Sequence, residues 1–184
     1  MRIVSGKHRG RTLSAPKSQA IRPTADRLRE SLFNILTHSH GDPVEGARVL
    51  DLFAGTGALG LEALSRGAAF VLFVDDGAEA RALLRGNVDA LGAGGATKVY
   101  RRDATRLGPA HPMEPFSLAF LDPPYGKSLA EQALVSARDG SWFTPDALIV
   151  VEEAAASGFA APAGFAEIER REYGDTQLVF LRRR

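Results

Sequence analysis

The chain has 184 residues, 45% hydrophobic and 24% charged, a balance that suits one globular domain with a modest appendage and excludes disorder or a fibre. It holds no cysteine, which excludes disulfides, thiolate nucleophiles and Cys-ligated metals and fits a reducing compartment. The net charge of +1 conceals an asymmetry: residues 1–30 carry eight Arg or Lys against Asp26 and Glu30, a local charge of +6 that leaves −5 on the remainder. A basic arm on an acidic body points to a polyanion, although charge alone fits an idle solvated segment equally well.

His8, His38, His40 and His111 form no metal-ligand spacing, so no metal is expected. The apolar stretches fall far short of the about 20 residues of a membrane span. Met1 to Lys7 has no apolar core for export, so a cytoplasmic protein, monomeric by default, is expected.

In chain order, Arg2 to Val4 and Arg11 to Leu13 are β-like pieces that suit a loose hairpin, and Ala15 to Pro23 reads as a linker. A helix is expected from about Thr24, its N-cap, with Leu28, Leu32, Ile35 and Leu36 on one stripe and Gly41-Asp42-Pro43 beyond its end. Strand and helix then alternate: strands at Arg48 to Phe53, Phe70 to Val74, Thr97 to Tyr100, Phe116 to Leu121 and Ala147 to Val151, helices at Ala58 to Arg66, Ala78 to Leu91 and Leu129 to Ala137. Continuous apolar strands between helices predict a parallel sheet covered on both faces. Ala166 to Tyr173 and Thr176 to Leu181, joined at Gly174-Asp175, predict an antiparallel hairpin. The reading divides the chain into an arm over residues 1–45 and a catalytic domain over 46–184.

Asp51-Leu52-Phe53-Ala54-Gly55-Thr56-Gly57-Ala58-Leu59-Gly60 follows a strand and opens a helix, where glycines let a ligand approach the backbone and free N–H groups await it. The Gly-x-Gly-x-x-Gly match alone is weak. Asp51 would repel a pyrophosphate and attract an ammonium group. Asp75, at the end of the second strand, suits the hydroxyls of a ribose, and Asp103, after the third, suits an adenine amine. Ammonium, ribose and adenine together make S-adenosylmethionine the matching cofactor.

Leu118 to Leu121 runs apolar into Asp122-Pro123-Pro124-Tyr125. The exocyclic amine of a base is a poor nucleophile because its lone pair is delocalised into the ring. Asp122 can accept one of its N–H bonds and the Pro123 carbonyl the other, with direction fixed by the two prolines. Tyr125 can stack on the base. As the methyl group moves, positive charge grows on nitrogen and a preplaced carboxylate favours it. No metal or covalent intermediate is required. The scheme needs the tips of the first and fourth strands side by side, with Gly55 and Tyr125 in one cleft.

At these residues the chain resembles the RsmD family, small bacterial methyltransferases of a guanine N2 in 16S ribosomal RNA. The likeness runs through Gly6 to Arg11, through Arg22-Pro23-Thr24-Ala25-Asp26-Arg27-Leu28-Arg29-Glu30-Ser31-Leu32-Phe33-Asn34, through Asp51 to Gly57, through Asp122 to Tyr125 and through Tyr173 to Thr176. It implies a Rossmann-like class I fold, an α/β seven-stranded sheet whose last strand is reversed. It implies S-adenosylmethionine held by Asp51, Phe53, Ala54, Gly55, Thr56, Gly57, Asp75, Asp103 and Ala104, and catalysis at Asp122, Pro123, Pro124 and Tyr125. Asp75-Asp76 stands where a single Glu is expected, so either could meet the ribose. The arm, through Arg9, Arg11, Arg22, Thr24 and Arg27, would grip 16S rRNA in the small ribosomal subunit or an assembly intermediate.

Three rivals share parts of this pattern. An N6-adenine or N4-cytosine DNA methyltransferase would use the same corner, but the chain has no room for a domain that reads duplex sequence. A nicotinamide oxidoreductase would use the glycine loop, but Asp51 and the lack of a proton donor oppose it. A non-catalytic RNA-binding assembly factor would keep the arm and leave the sheet a relic.

Overall fold

The computed structural model describes residues 1–17 and 23–184, and the side chains from residue 26 onward in the helix that follows the gap. Most of the linker expected between Ala15 and Pro23, and Arg22 with it, lies outside the described residues. Helix α1 (Pro23–Ser39) is followed by β1 (Arg48–Leu52), α2 (Ala58–Ser65), β2 (Phe70–Val74), α3 (Ala78–Ala90), β3 (Thr97–Tyr100), β4 (Phe116–Leu121), α4 (Leu129–Asp139), β5 (Phe143–Ala154), β6 (Phe165–Tyr173) and β7 (Thr176–Arg183). Pro23 is the first helical residue of α1 rather than the residue before it, which suits proline because the first-turn N–H has no intrahelical acceptor.

The seven strands form one sheet in the order β3-β2-β1-β4-β5-β7-β6. β1 is parallel to β2 and β4, β4 to β5 and β2 to β3, while β7 is antiparallel to both β5 and β6. The reversed last strand is β7, inserted between β5 and β6. This is the Rossmann-like class I methyltransferase architecture. The order reverses between β1 and β4, and their carboxyl ends open the crevice where ligands of such sheets bind.

Two apolar layers sandwich the sheet. Leu32, Phe33 and Leu36 of α1, Leu61 and Leu64 of α2 and Leu84 and Val88 of α3 pack on one face with Phe73 and Phe120. Leu134, Ala133 and Ala137 of α4 pack on the other with Trp142, Phe116 and Leu121. Phe33 tilts against Phe120 with centroids 5.6 Å apart, so α1 rides directly over the strand that leads to Asp122. Burying such a side chain contributes about 1.5–3 kcal/mol.

The arm is anchored. An antiparallel bridge joins Arg2 to Thr12, the Ile3 N–H donates to the Arg11 carbonyl and the Leu13 N–H to that of Met1, each at 2.9 Å. Ile3 and Leu13 are buried in the same apolar layer as α1. Glu62, on α2 and wholly buried, accepts from the Val4 N–H at 2.9 Å, the Ser5 N–H at 3.0 Å, Arg66 Nε at 2.9 Å and Arg29 Nε at 3.3 Å. The backbone of the arm thus supplies donors to a buried carboxylate that would otherwise be strongly destabilising. At the far rim, β6 carries the ion pairs Arg170–Glu167 (2.8 Å) and Arg171–Glu169 (2.5 Å) on a largely exposed strand. Among the described residues, no helix is long and apolar enough to cross a membrane.

Candidate active site

The crevice holds a cavity of about 540 Å³ lined by Asp51, Phe53, Ala54, Gly55 and Thr56 after β1, by Asp122 and Tyr125 after β4, and by Glu152 of β5. Met1, Ala15 and Pro16 of the arm and Leu28, Arg29 and Leu32 of α1 close its other wall, with Glu79, Ala80 and Leu83 at the start of α3. Gly55 and Tyr125 therefore face one space, as the scheme demands.

The glycine loop is built by three constraints. Gly55 adopts φ +56°, and a Cβ there would meet nothing within 4 Å, so its open side is available to a ligand. Gly57 caps α2 at φ +82°, where a Cβ would lie 2.2 Å from Leu84 Cδ1; this glycine serves the packing of α3 and does not line the cavity. Asp51 is 1% exposed and its Oδ2 accepts the Gly60 N–H at 3.0 Å. Burial pushes its carboxyl up to about 8, opposed by the Gly60 bond and reinforced by the charge of Asp75. A cation arriving in the cavity would find in Asp51 a carboxyl that has no cationic partner among the described residues.

Asp75 turns into the loop, with Oδ2 accepting from the Gly55 N–H at 2.9 Å and Oδ1 from the Gly77 N–H at 2.8 Å. Asp76 is exposed. Of the pair, Asp75 alone is bonded to the loop; its carboxylate has lone pairs to spare for further donors, but it does not line the cavity. Asp103 and Ala104 lie outside it too. The Asp103 carboxylate accepts the Thr105 hydroxyl at 2.7 Å and its N–H at 2.9 Å, and these bonds hold its pKa below the ordinary range. It caps a turn of 3-10 helix at Ala104–Arg106, a local task that spacing alone did not reveal.

After β4, Pro123 is buried and Pro124 exposed. Register Leu121↔Val151 between parallel β4 and β5 brings Asp122, just past β4, level with Glu152 of β5. Tyr125, 42% exposed, donates its hydroxyl to Glu152 Oε1 at 2.9 Å and lies 3.3 Å from Thr176 Oγ1. Burial, then the Glu152 charge, raises the Tyr125 pKa, so the phenol stays protonated. Lost hydration, then the charges of Glu152, Asp51 and Glu153, raise the Asp122 carboxyl well above its usual range. Because Asp122 remains open to the cleft by surface area, the repulsion among these acids is the firmer of the two causes. Burial raises Glu152 too, against the pull of the Tyr125 hydroxyl. Glu153, on the opposite side of β5, accepts from the Gly126 N–H at 3.2 Å and steadies the turn after Tyr125.

Of the arm residues, Arg9 and Arg27 are exposed, and Arg11 donates to the Ala90 carbonyl at the end of α3. The side chain of Thr24 lies outside those described. Sequence spacing missed Arg29, buried and bonded to Asp26 at 3.0 Å and to Glu62. It also missed Asn87, whose Oδ1 accepts the Ser14 N–H at 2.7 Å while its Nδ2 donates to the Thr56 carbonyl at 2.9 Å. Asn87 thereby ties arm and glycine loop together. A polar residue inside an apolar helical stripe, such as Asn87 on α3 or Glu62 on α2, was the available signal.

The family model described as "Conserved hypothetical protein 95" matches residues 1–182. Among curated proteins the chain is similar to Ribosomal RNA small subunit methyltransferase D of Escherichia coli (strain K12), with 40% identity over 159 residues, covering 86% of this chain and 77% of that protein. It is also similar to YlbH of Bacillus subtilis (strain 168), with 36% identity over the whole of both. Among solved structures, yhhF from Escherichia coli superposes with a TM-score of 0.82 at 32% identity, covering 100% of this chain and 97% of that one. The hypothetical protein TTHA0928 of Thermus thermophilus does so with a TM-score of 0.73 at 33% identity, covering 98% of each. A family match over residues 1–182, joined to 40% identity over most of the chain and to superposition of the whole chain at a TM-score of 0.82, makes this chain a member of the family of ribosomal RNA small subunit methyltransferase D.

Proposed function

We propose that the protein transfers a methyl group from S-adenosylmethionine to the exocyclic N2 of a guanine in 16S rRNA, in the small ribosomal subunit or an intermediate of its assembly. Family membership makes it an rRNA methyltransferase. The observation that carries the finer reading is the single cavity shared by the Gly55 loop and the Asp122–Tyr125 corner. Residues 1–45 act as the RNA-contacting arm and 46–184 as the catalytic domain. An rRNA substrate makes the cytoplasm the expected location.

The residues present fit the cofactor. Asp51 offers a buried carboxyl with no cationic partner among the described residues, Gly55 leaves its open side clear, and Phe53, Ala54 and Thr56 wall the same space. Asp75 braces the loop and has lone pairs left for a ribose; Gly57 acts through packing. Asp103 and Ala104 are retained for the adenine end. When bound, the cofactor supplies an electrophilic methyl group on a sulfonium.

The rest is the work of this chain. Asp122 and the Pro123 carbonyl accept the two N–H bonds of the amine, which frees the nitrogen to pyramidalise and aim its lone pair. Tyr125 supplies an aromatic face on which a splayed base can stack, since a base held in a helix hides its amine. The negative charges around Asp122 favour the positive charge that develops on nitrogen. Exposed Arg9 and Arg27, with Arg11 and Arg22, grip phosphates and position the RNA.

Mass spectrometry of 16S rRNA fragments from a deletion strain tests this: one guanine loses an N2-methyl group and regains it on complementation. Asp122→Ala abolishes transfer while RNA affinity stays within about threefold, because base contacts contribute little to phosphate-driven affinity. Unaltered 16S rRNA in the deletion strain would refute the proposal. Methylated adenine or cytosine in DNA would favour the rival enzyme.

A further inference from the structure

Asp122 accounts for holding a reactive amine but not for choosing a base, because guanine, adenine and cytosine all present an exocyclic amine. Their Watson–Crick edges differ one atom away. Guanine has an N1–H donor beside its amine, whereas adenine and cytosine have a lone pair, at N1 and N3 respectively. A site that accepts from the amine and also from the neighbouring atom selects guanine; a site with one acceptor does not.

The crevice contains such a second acceptor. Glu152 lines the cavity beside Asp122 and Tyr125, and the register between β4 and β5 places it one step past the Leu121↔Val151 pair, within β5 and level with Asp122. Its Oε1 is fixed by the Tyr125 hydroxyl at 2.9 Å, so the carboxylate is oriented before a base arrives. Its Oε2 has no protein partner among the described residues. Glu153, by contrast, is buried, does not line the cavity, and uses its Oε1 on the Gly126 and Ala154 N–H groups. The same hydroxyl links the stacking face to the reading group, and Asp122, Tyr125 and Glu152 line one cavity.

We propose that Glu152 is the guanine-reading residue of the acceptor site, its Oε2 accepting the base N1–H while Asp122 accepts from N2. This rests on the guanine-N2 reading above. An adenine or cytosine turned to offer its amine to Asp122 would aim a lone pair at the Glu152 carboxylate. The repulsion and the lost hydrogen bond act together against it.

The test uses small subunits assembled on 16S rRNA in which the target guanosine is replaced by 2-aminopurine riboside. That base keeps the 2-amine and has a lone pair instead of an N1–H. At alkaline pH, which favours the ionised carboxylates, the wild-type enzyme methylates guanine about 10- to 100-fold faster, the penalty of one unmade charged hydrogen bond. In Glu152→Gln the amide turns to donate to N1, and the preference shrinks to about threefold or less. Equal wild-type rates on both bases would overturn the assignment without any variant, and so would a Glu152→Gln enzyme that keeps the full preference. In both cases N2-methylguanosine among the wild-type products leaves the proposed function standing. Its absence from those products would overturn both.

Discussion

Asp51→Asn separates stability from function at one atom. The Asp51 carboxyl is raised to about 8, above the value it regains in the unfolded chain. The unfolded chain therefore loses this proton at lower pH than the folded one, and the contribution to stability, fully present below about pH 4, is lost as pH rises through about 8. About four pKa units correspond to a ceiling of about 6 kcal/mol; structural relaxation and water entry leave about 1–3 kcal/mol as the expected effect. Asn is isosteric, is neutral at every pH, and its carbonyl can still accept the Gly60 N–H that Asp51 holds at 3.0 Å. The variant should melt about 3–9 °C above the wild type at alkaline pH, with the advantage fading toward pH 5. In calorimetry it should bind S-adenosylmethionine weakly or not at all, because the ammonium has lost its partner. Differential scanning fluorimetry across pH reads the first effect and titration the second. A variant less stable than the wild type at alkaline pH, or more stable by the same margin at every pH, would refute the assignment of burial as the cause.

Three further outcomes are expected. Glu62→Gln should lower Tm by about 6–12 °C, corresponding to about 3 kcal/mol for a broken buried charge network that also holds the arm, and an unchanged melt would sink that account. Gly57→Ala should destabilise the fold by about 2 kcal/mol or more through its collision with Leu84, whereas Gly55→Ala should cost about 1 kcal/mol and chiefly lose donor binding; equal losses of stability would contradict the division of labour in the loop. Because neighbouring acids raise the Asp122 pKa, single-turnover methylation should climb as pH increases from mildly acidic values, and Asp122→Asn should flatten the residual profile. A wild-type rate that falls over that interval would exclude an ionised Asp122 as the working form.

Helices α2 and α3 and strands β2, β3 and β4 are legible in the sequence because each is bounded by glycine or a polar turn and has an unbroken apolar face. Strand β5 runs beyond the apolar stretch Ala147 to Val151, back to Phe143. The ladder with β4 shifts between Phe116↔Phe143 and Leu118↔Leu148, so Pro145 falls where no ladder hydrogen bond is needed. No periodicity encodes that. The cleft was legible where function follows directly from strand ends, at Gly55 and Asp122. It was not legible where an acid is absorbed by its own turn, as Asp103 is by Thr105, or where contacts cross long stretches of chain, as from Val4 to Glu62 or Ser14 to Asn87.

The charged rim of β6 has a consequence for association. An edge strand carries a row of free backbone donors and acceptors and invites a second sheet to extend it. Here Glu167, Glu169, Arg170 and Arg171 hold one another in pairs along that rim. A copy docking alongside would have to strip water from these ions without offering them better partners. Lateral growth of the sheet through β6 is thereby discouraged, which leaves β3 as its other edge.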